Sequence, residues 1–240
     1  MVKHTSGLKS RRKLGNPIIV RLYGGLGNQL FQYAAGRYLS CKFKSRLLLD
    51  ISWFAHNKLS TKRKLDILDY PLIYSEVYTA PSFIFYIKLL FKKIKQNKTN
   101  TSKHALDLYM CSNRIILDGY WQDINIVNSI RKELLNEFEY EPKVNSKFYK
   151  KIKLSISNSN AISLHVRRGD LALKENATLS LNYYSEAIKI IQKSYSDAKF
   201  FIFSDDLKWC KENLKINHEH VFVNSNSPTM DIDLMSRCKS

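Results

Sequence analysis

The chain has 240 residues, 44% of them hydrophobic and 25% charged, with a formal net charge of +18 at pH 7. This apolar content can fill one large core or two smaller ones and excludes global disorder. The excess of 39 Lys and Arg over 21 Asp and Glu suits an anionic partner: a nucleic acid, an anionic membrane surface or a phosphorylated substrate.

Residues 1–16 are basic and lack the apolar stretch of a signal peptide, so they read as a disordered basic arm. PIIVRLY (17–23) is a continuous apolar run with one Arg, the pattern of a buried parallel strand. GGLGNQ comes next, then LFQYAAGRYLS with helical spacing. Strand, glycine turn and helix open a doubly wound α/β domain. RLLLDI (46–51) reads as a second strand, and residues 82–104 as a Lys-rich surface insertion. IILDGYW (115–121) is a strand, followed by helix to about Tyr140. EPKVNSK and SISNSN read as a connection between domains.

A second α/β set begins with AISLHVRRGD. SLNYYSEAIKIIQKSY is an amphipathic helix, KFFIFSDD a strand, LKWCKENL a short helix, HVFVN a strand, and TMDIDLMSRCKS a helix running to the last residue. The expected architecture is α/β with two Rossmann-like domains of parallel sheet: an N-terminal domain over 17–155 and a C-terminal one over 156–240. Cys41, Cys111, Cys210 and Cys238 are far apart with no C-x-x-C pair. They read as buried thiols in a reducing compartment rather than as a zinc site or disulfide framework. No apolar run is long enough to predict a transmembrane helix.

GGLGNQ occupies the place of a dinucleotide fingerprint and fits it badly. Gly25 and Gly27 match G-x-G, but the third glycine position is Leu30, and Asp50 is a weak match to the acidic partner. What remains is a tight turn at a helix N-terminus, with Gly25 giving a ligand access to the backbone and Asn28 as a cap. HVRRGD carries more. At the carboxyl end of a parallel strand, side chains point into the crevice where α/β ligands bind. Arg167 and Arg168 offer planar bidentate contacts to phosphate, Asp170 can hold one guanidinium from behind, and His165 shares a strand face with Arg167. FSDD is a second strand end; Ser204 and Asp205 are candidates for the ligand site and for capping the next helix. Asp231 and Asp233 open the final helix, where its dipole favours carboxylates.

GGLGNQLFQYAAGR, LDGYWQD, HVRRGD, LNYYSEAI, FSDDLKWC and DIDLMSRCK occur in the order seen in bacterial α-1,2-fucosyltransferases of glycosyltransferase family 11, which the chain resembles from about Pro17 to Ser240. The resemblance implies a GT-B-like pair of Rossmann-like domains, with the N-terminal one on the acceptor side and the C-terminal one binding GDP-fucose. It implies inverting transfer of L-fucose to the 2-hydroxyl of a galactoside in a surface glycan, without a metal or other cofactor. Arg167 and Arg168 inherit the donor diphosphate and the catalytic charge stabilisation, His165 contacts the nucleoside, and Asp231 reads the guanine edge. Gly25, Asn28, Asp170, Ser204 and Asp205 complete the expected donor site, and Glu175 is a candidate base. The family continues past the final helix into a strand and a Ser- and Trp-rich motif. This sequence stops before them, so the second domain is expected to be incomplete.

The expected location is the cytoplasm, with peripheral contact at the inner face of the membrane, where a galactose-containing acceptor is carried on lipid. SFIFYIKLLFKKIKQNK (82–98), read as a helix, has the apolar half and basic end of an interfacial segment. Three rivals stand beside this reading: another nucleotide-sugar enzyme of the same fold, an inactive homologue and a basic nucleic-acid-binding protein. The last needs aromatic residues interleaved with Lys and Arg or a recognisable motif, and neither is found.

Overall fold

The computed structural model describes residues 15–55, 63–78, 92–95, 115–142, 146–169, 178–225 and 227–239. They form two units: Met1–Leu65 with Leu72–Phe138, and Asp66–Pro71 with Glu139–Ser240. The expected boundary at 155/156 therefore moves. The stretch read as a connection contains a helix, Lys147–Ser157, capped by Ser146 and packed through Tyr149, Ile152 and Ile156 into the second unit.

The first unit holds five parallel strands: β1 (Gly15–Arg21), β2 (Ser45–Asp50), β3 (Glu76–Tyr78), β4 (Lys92–Lys95) and β5 (Ile115–Asp118). Their spatial order is β3-β2-β1-β5-β4. Ile18, Val20, Leu49 and Leu117 are buried, as apolar runs in a sheet covered on both faces should be. Helix α1 (Leu26–Phe43) lies on β1 and β2. A Cβ at Gly36 would sit 2.8 Å from Leu47 and 3.0 Å from Val20, so glycine permits the close approach. Gly15 and Asn16, expected in the basic arm, belong to β1. A further difference concerns the insertion. Lys92–Lys95 is not helical but pairs in parallel with β5, and a lysine-rich strand suits a sheet edge, where charge deters pairing with other chains. The rest of 82–98 lies outside the described residues. Among the described residues, the first unit also has helix α2 (Ser52–Ala55) and two consecutive helices, α3 (Ile124–Ser129) and α4 (Arg131–Glu137), while a 3-10 turn (Asp66–Asp69) belongs to the second unit.

A buried polar cluster ties α1 to α4. Glu137 accepts from the Tyr33 hydroxyl at 2.5 Å and from Arg37 Nε at 2.8 Å. Burial, then the bond to Glu137, pushes the Tyr33 pKa far above its ordinary value.

The second unit contains α5 (Lys147–Ser157), β6 (Asn160–Val166), α6 (Leu181–Ser194), β7 (Ala198–Ser204), α7 (Leu207–Asn213), β8 (His220–Val223) and α8 (Pro228–Ser236). The parallel order is β6-β7-β8. Ile162, Val166, Tyr184, Ile188, Phe200, Ile202 and Cys210 form its core, with Trp209 packed against them. The last helix stops at Ser236 rather than at the final residue. Here too a buried carboxylate is fully paired: Asp233 accepts from Tyr149 at 2.8 Å and from two Arg237 nitrogens at 2.9 Å. Cys210 is buried, while Cys41 and Cys238 are half-buried and unpaired by disulfide. No helix among the described residues is long and apolar enough to cross a membrane.

Candidate functional site

The HVRRG segment leaves β6 where its backbone runs out of strand partners. Ile162 and Val166 are buried in the core, which puts His165 and Arg167 on the alternate face. Three consecutive residues at the end of β7 hold the segment in place. Ser204 Oγ donates to the Val166 carbonyl at 2.6 Å. Asp205 Oδ1 accepts from the amides of Arg168 at 2.8 Å and Gly169 at 3.0 Å. Asp206 caps α7 by accepting from Trp209 N at 3.0 Å, and its other oxygen lies 3.6 Å from Arg168 Nε. A Cβ at Gly169 would stand 2.6 Å from Asp205 Oδ2, so only glycine leaves room for the carboxylate.

Arg168 is fixed further by Trp209, whose ring lies 4.0 Å from the guanidinium carbon. An arginine stacked on an indole and paired with a carboxylate has few rotamers left to lose on binding an anion. Arg167 is exposed, and its backbone is hydrogen-bonded with the buried Tyr184 hydroxyl. His165 keeps solvent access, yet desolvation by its packed surroundings is the largest influence on it and lowers its pKa; Asp205 opposes this and Arg167 adds to it.

Asp231 stands in the first turn of α8, the helix after β8. Burial raises its pKa from 3.8 to about 6, and the only opposing influence is the Ser225 hydroxyl, which donates to Oδ1 at 2.6 Å. The helix dipole favours a carboxylate at that position, but here desolvation prevails. Two strand spacings separate β6 from β8, about 10 Å. The arginine pair and Asp231 thus lie at the same end of one sheet with β7 between them.

Several expectations are corrected. Asp205 does not cap α7; Asp206 does, and Ser204 and Asp205 are spent on the HVRRG backbone. Asp206 lies beside Arg168; Asp170 and Glu175 lie outside the described residues. In the first unit, Asn28 is not a cap. Helix α1 starts from Gly25 without a side-chain cap, and Asn28 accepts from Gln122 Nε2 at 2.9 Å. The glycine that the turn requires is Gly24, at φ +79°, not Gly25 at φ −78°. The first-unit residues Gly25 and Asn28 and the second-unit residues His165 to Gly169 lie each at the carboxyl end of their own sheet. Asp206, Trp209, Ser225 and Tyr184 escaped the sequence reading. The spacing of Asp206 and Trp209 as N-cap and N3 was the available signal.

Residues 5–240 match the sequence model of Glycosyl transferase family 11. The chain belongs to this family. It is 31% identical to the Escherichia coli O-antigen biosynthesis glycosyltransferase WbnK, over 91% of this chain and 83% of that protein. It is 29% identical to an Escherichia coli alpha-1,2-colitosyltransferase, over 92% and 81%. With the Rattus norvegicus galactoside alpha-(1,2)-fucosyltransferase 2 it shares 24% identity over 90% of this chain and 60% of that one. Among solved structures, the fucosyltransferase NodZ from Bradyrhizobium superposes with a TM-score of 0.53 at 15% identity, covering 93% of this chain and 86% of that one. A NodZ alpha-1,6-fucosyltransferase crystal soaked with GDP-fucose gives 0.54 at 14% identity, with the same coverage. These superpositions establish the fold class of this family 11 chain: α/β and GT-B-like, with Rossmann-like units of parallel sheet.

Proposed function

We propose that this family 11 enzyme transfers L-fucose from GDP-fucose to the 2-hydroxyl of a galactoside in a surface glycan, with inversion and without a metal. The observation that carries the reading is the arginine pair at the end of β6, with the Arg168 guanidinium held by Asp206 and Trp209. Breaking the fucose C1–O bond leaves negative charge on the departing diphosphate and an oxocarbenium-like sugar. Arg167 and Arg168 supply positive charge where that negative charge develops. Asp205 holds the loop backbone, and Asp206 and Trp209 hold the Arg168 guanidinium before the reaction, so little reorganisation of that donor accompanies it. Asp231, when ionised, accepts from the guanine N–H groups, and His165 faces the nucleoside. Inversion places the acceptor hydroxyl on the sugar face opposite GDP, and a base there, for which Glu175 is our candidate, removes its proton.

The acceptor is a galactose-containing glycan, carried on lipid at the cytoplasmic face of the membrane. The first test is GDP binding by calorimetry with and without magnesium, followed by linkage analysis of the product made from GDP-fucose and a β-galactoside. Equal binding in both conditions and a 2-linked product support the reading. Absence of GDP binding, or salt-sensitive binding to duplex DNA in its place, overturns it. One further reading has support of its own: the colitosyltransferase relative matches nearly as well as WbnK. A GDP-activated colitose run against GDP-fucose decides which sugar is preferred.

A further inference from the structure

The carboxyl end of the first sheet carries a second cluster that the arginine site does not use. A polypeptide chain running β1 to β2 to β3 moves outward on one side of β1, and β5 and β4 lie on the other side. The switch falls between β1 and β5, the position where open α/β sheets form a ligand crevice. Three neighbouring strands each deliver an aromatic ring there. Trp53 lies just past β2, Tyr23 just past β1 and Tyr120 just past β5. The rings keep the strand order but are inclined to one another, as walls of a cradle rather than one plane: Trp53 to Tyr23 is 6.3 Å between centroids at 47°, and Tyr23 to Tyr120 is 5.1 Å at 60°.

The chain strains its backbone to make this arrangement. Trp121 has φ +56°, a left-handed conformation that is an outlier for so bulky a residue, and its ring is 1% exposed. The next amide but one, Asp123 N, donates to the Trp121 carbonyl at 2.8 Å, and Asp123 then caps α3. The buried indole and the cap anchor one side of the segment while Tyr120, immediately before them, is left 48% exposed. A single exposed tyrosine would need no explanation. Three rings in strand order at the switch point, beside a strained and anchored turn, do. Polar groups border them: Gln122 donates to Asn28 across the crevice mouth, and such amides carry both donors and acceptors. Desolvation, then Asp118, pushes the Tyr23 hydroxyl up to about 12, so it remains a neutral donor.

We propose that Trp53, Tyr23 and Tyr120 form a platform on which the terminal pyranoside of the acceptor stacks. This rests on the glycosyl-transfer reading above and names the residues that receive the acceptor. One face of a galactopyranoside presents a patch of C–H groups, and an aromatic face carries the negative end of the ring quadrupole. The hydroxyls at the sugar's edge then meet the Asn28 and Gln122 amides. A ring platform accepts several pyranosides of similar shape, whereas the amides select among their hydroxyls.

The test uses the full chain and methyl β-galactoside, followed by saturation-transfer NMR, with GDP binding measured in parallel by calorimetry. The wild type should saturate the C–H protons of one sugar face. Tyr120→Ala should bind the galactoside about tenfold more weakly, Tyr120→Phe should bind it as the wild type does, and GDP affinity should stay unchanged in both. In transfer assays the same loss should appear in the acceptor KM. Wild-type galactoside affinity in Tyr120→Ala, or GDP binding without any galactoside binding by the wild type, overturns the platform and leaves the donor reading standing. Binding of neither ligand by the wild type overturns both.

Discussion

The two sheets end differently. At the carboxyl end of the first, rings predominate, and Arg21 there lies 3.9 Å from Asp50 and 3.8 Å from Asp118. At the same end of the second, charge predominates: two arginines leave β6, and β7 answers with two aspartates. The strand–helix scaffold beneath is alike in both, so the chemistry resides in the few residues just past the end of each strand. Each unit also keeps one carboxylate that is not chemical at all. Glu137 and Asp233 are each held by a tyrosine and an arginine, whereas Asp231 has one serine. Full pairing marks the carboxylates that hold the fold; the sparsely paired one is the one we propose for the ligand.

The largest expected effect tests the fold-holding half of that contrast. Glu137→Ala leaves Arg37 and Tyr33 buried without their partner and should lower unfolding free energy by about 3–5 kcal/mol, read by urea titration. A loss comparable to an exposed ion pair, below about 1 kcal/mol, would remove the distinction between the two kinds of carboxylate. Next comes Arg168→Lys, which keeps the charge but loses the fork and the stacking on Trp209. Transfer should slow by the equivalent of about 2.7–4 kcal/mol in the barrier with the melting temperature nearly unchanged. Near-wild-type transfer would show that Arg168 serves only the loop.

Asp231 should respond to pH in two opposite ways. Its folded pKa of about 6 lies above the ordinary 3.8. Between those values the folded protein holds a proton that the unfolded chain has released. Stability therefore falls as pH rises through this window and stays lower above it. Asp231→Asn should remove that dependence. GDP binding should run the other way and strengthen as pH rises through about 6, because the ionised carboxylate can accept from two guanine N–H groups at once while the protonated group turns one oxygen into a donor. Calorimetric titration at about pH 5 and about pH 7.5 measures it, and equal affinities at both would dissociate Asp231 from the base. The smallest effect concerns metal. If Arg167 and Arg168 stabilise the leaving group as proposed, EDTA should leave transfer intact; loss restored by manganese would place a metal where we place Arg167 and Arg168.

Most strands and the long helices were legible because buried parallel strands and amphipathic helices impose opposite periods. The HVRRG segment stood out in the sequence because two adjacent cations at a strand end need a reason, and the structure places them just past the carboxyl end of β6. Its supports were not. Asp205 reads as a helix cap in one dimension, and only the register of β6 against β7, His165 opposite Phe203 and Val166 opposite Ser204, brings it under the Arg168 and Gly169 amides. Asn28 fails as a cap for a similar reason: its partner Gln122 lies more than ninety residues away. The helix Lys147–Ser157 was hidden by the serines and asparagines around its end. The strand Lys92–Lys95 was hidden by lysines, which weaken local propensity and are tolerated because the strand sits at an edge.

The order of strands in the first sheet also sets a timetable. Strand β1 is made first and becomes the centre of its sheet. Its partner on one side, β2, arrives after a single helix, but Ile18 pairs with Ile115 on the other, roughly a hundred residues later. At a synthesis rate of about 5–20 residues per second, the second edge of β1 waits uncovered for several seconds. Pairings so distant in sequence also slow refolding. During translation, the apolar run Ile18–Val20 is therefore an open edge until β5 arrives to close it.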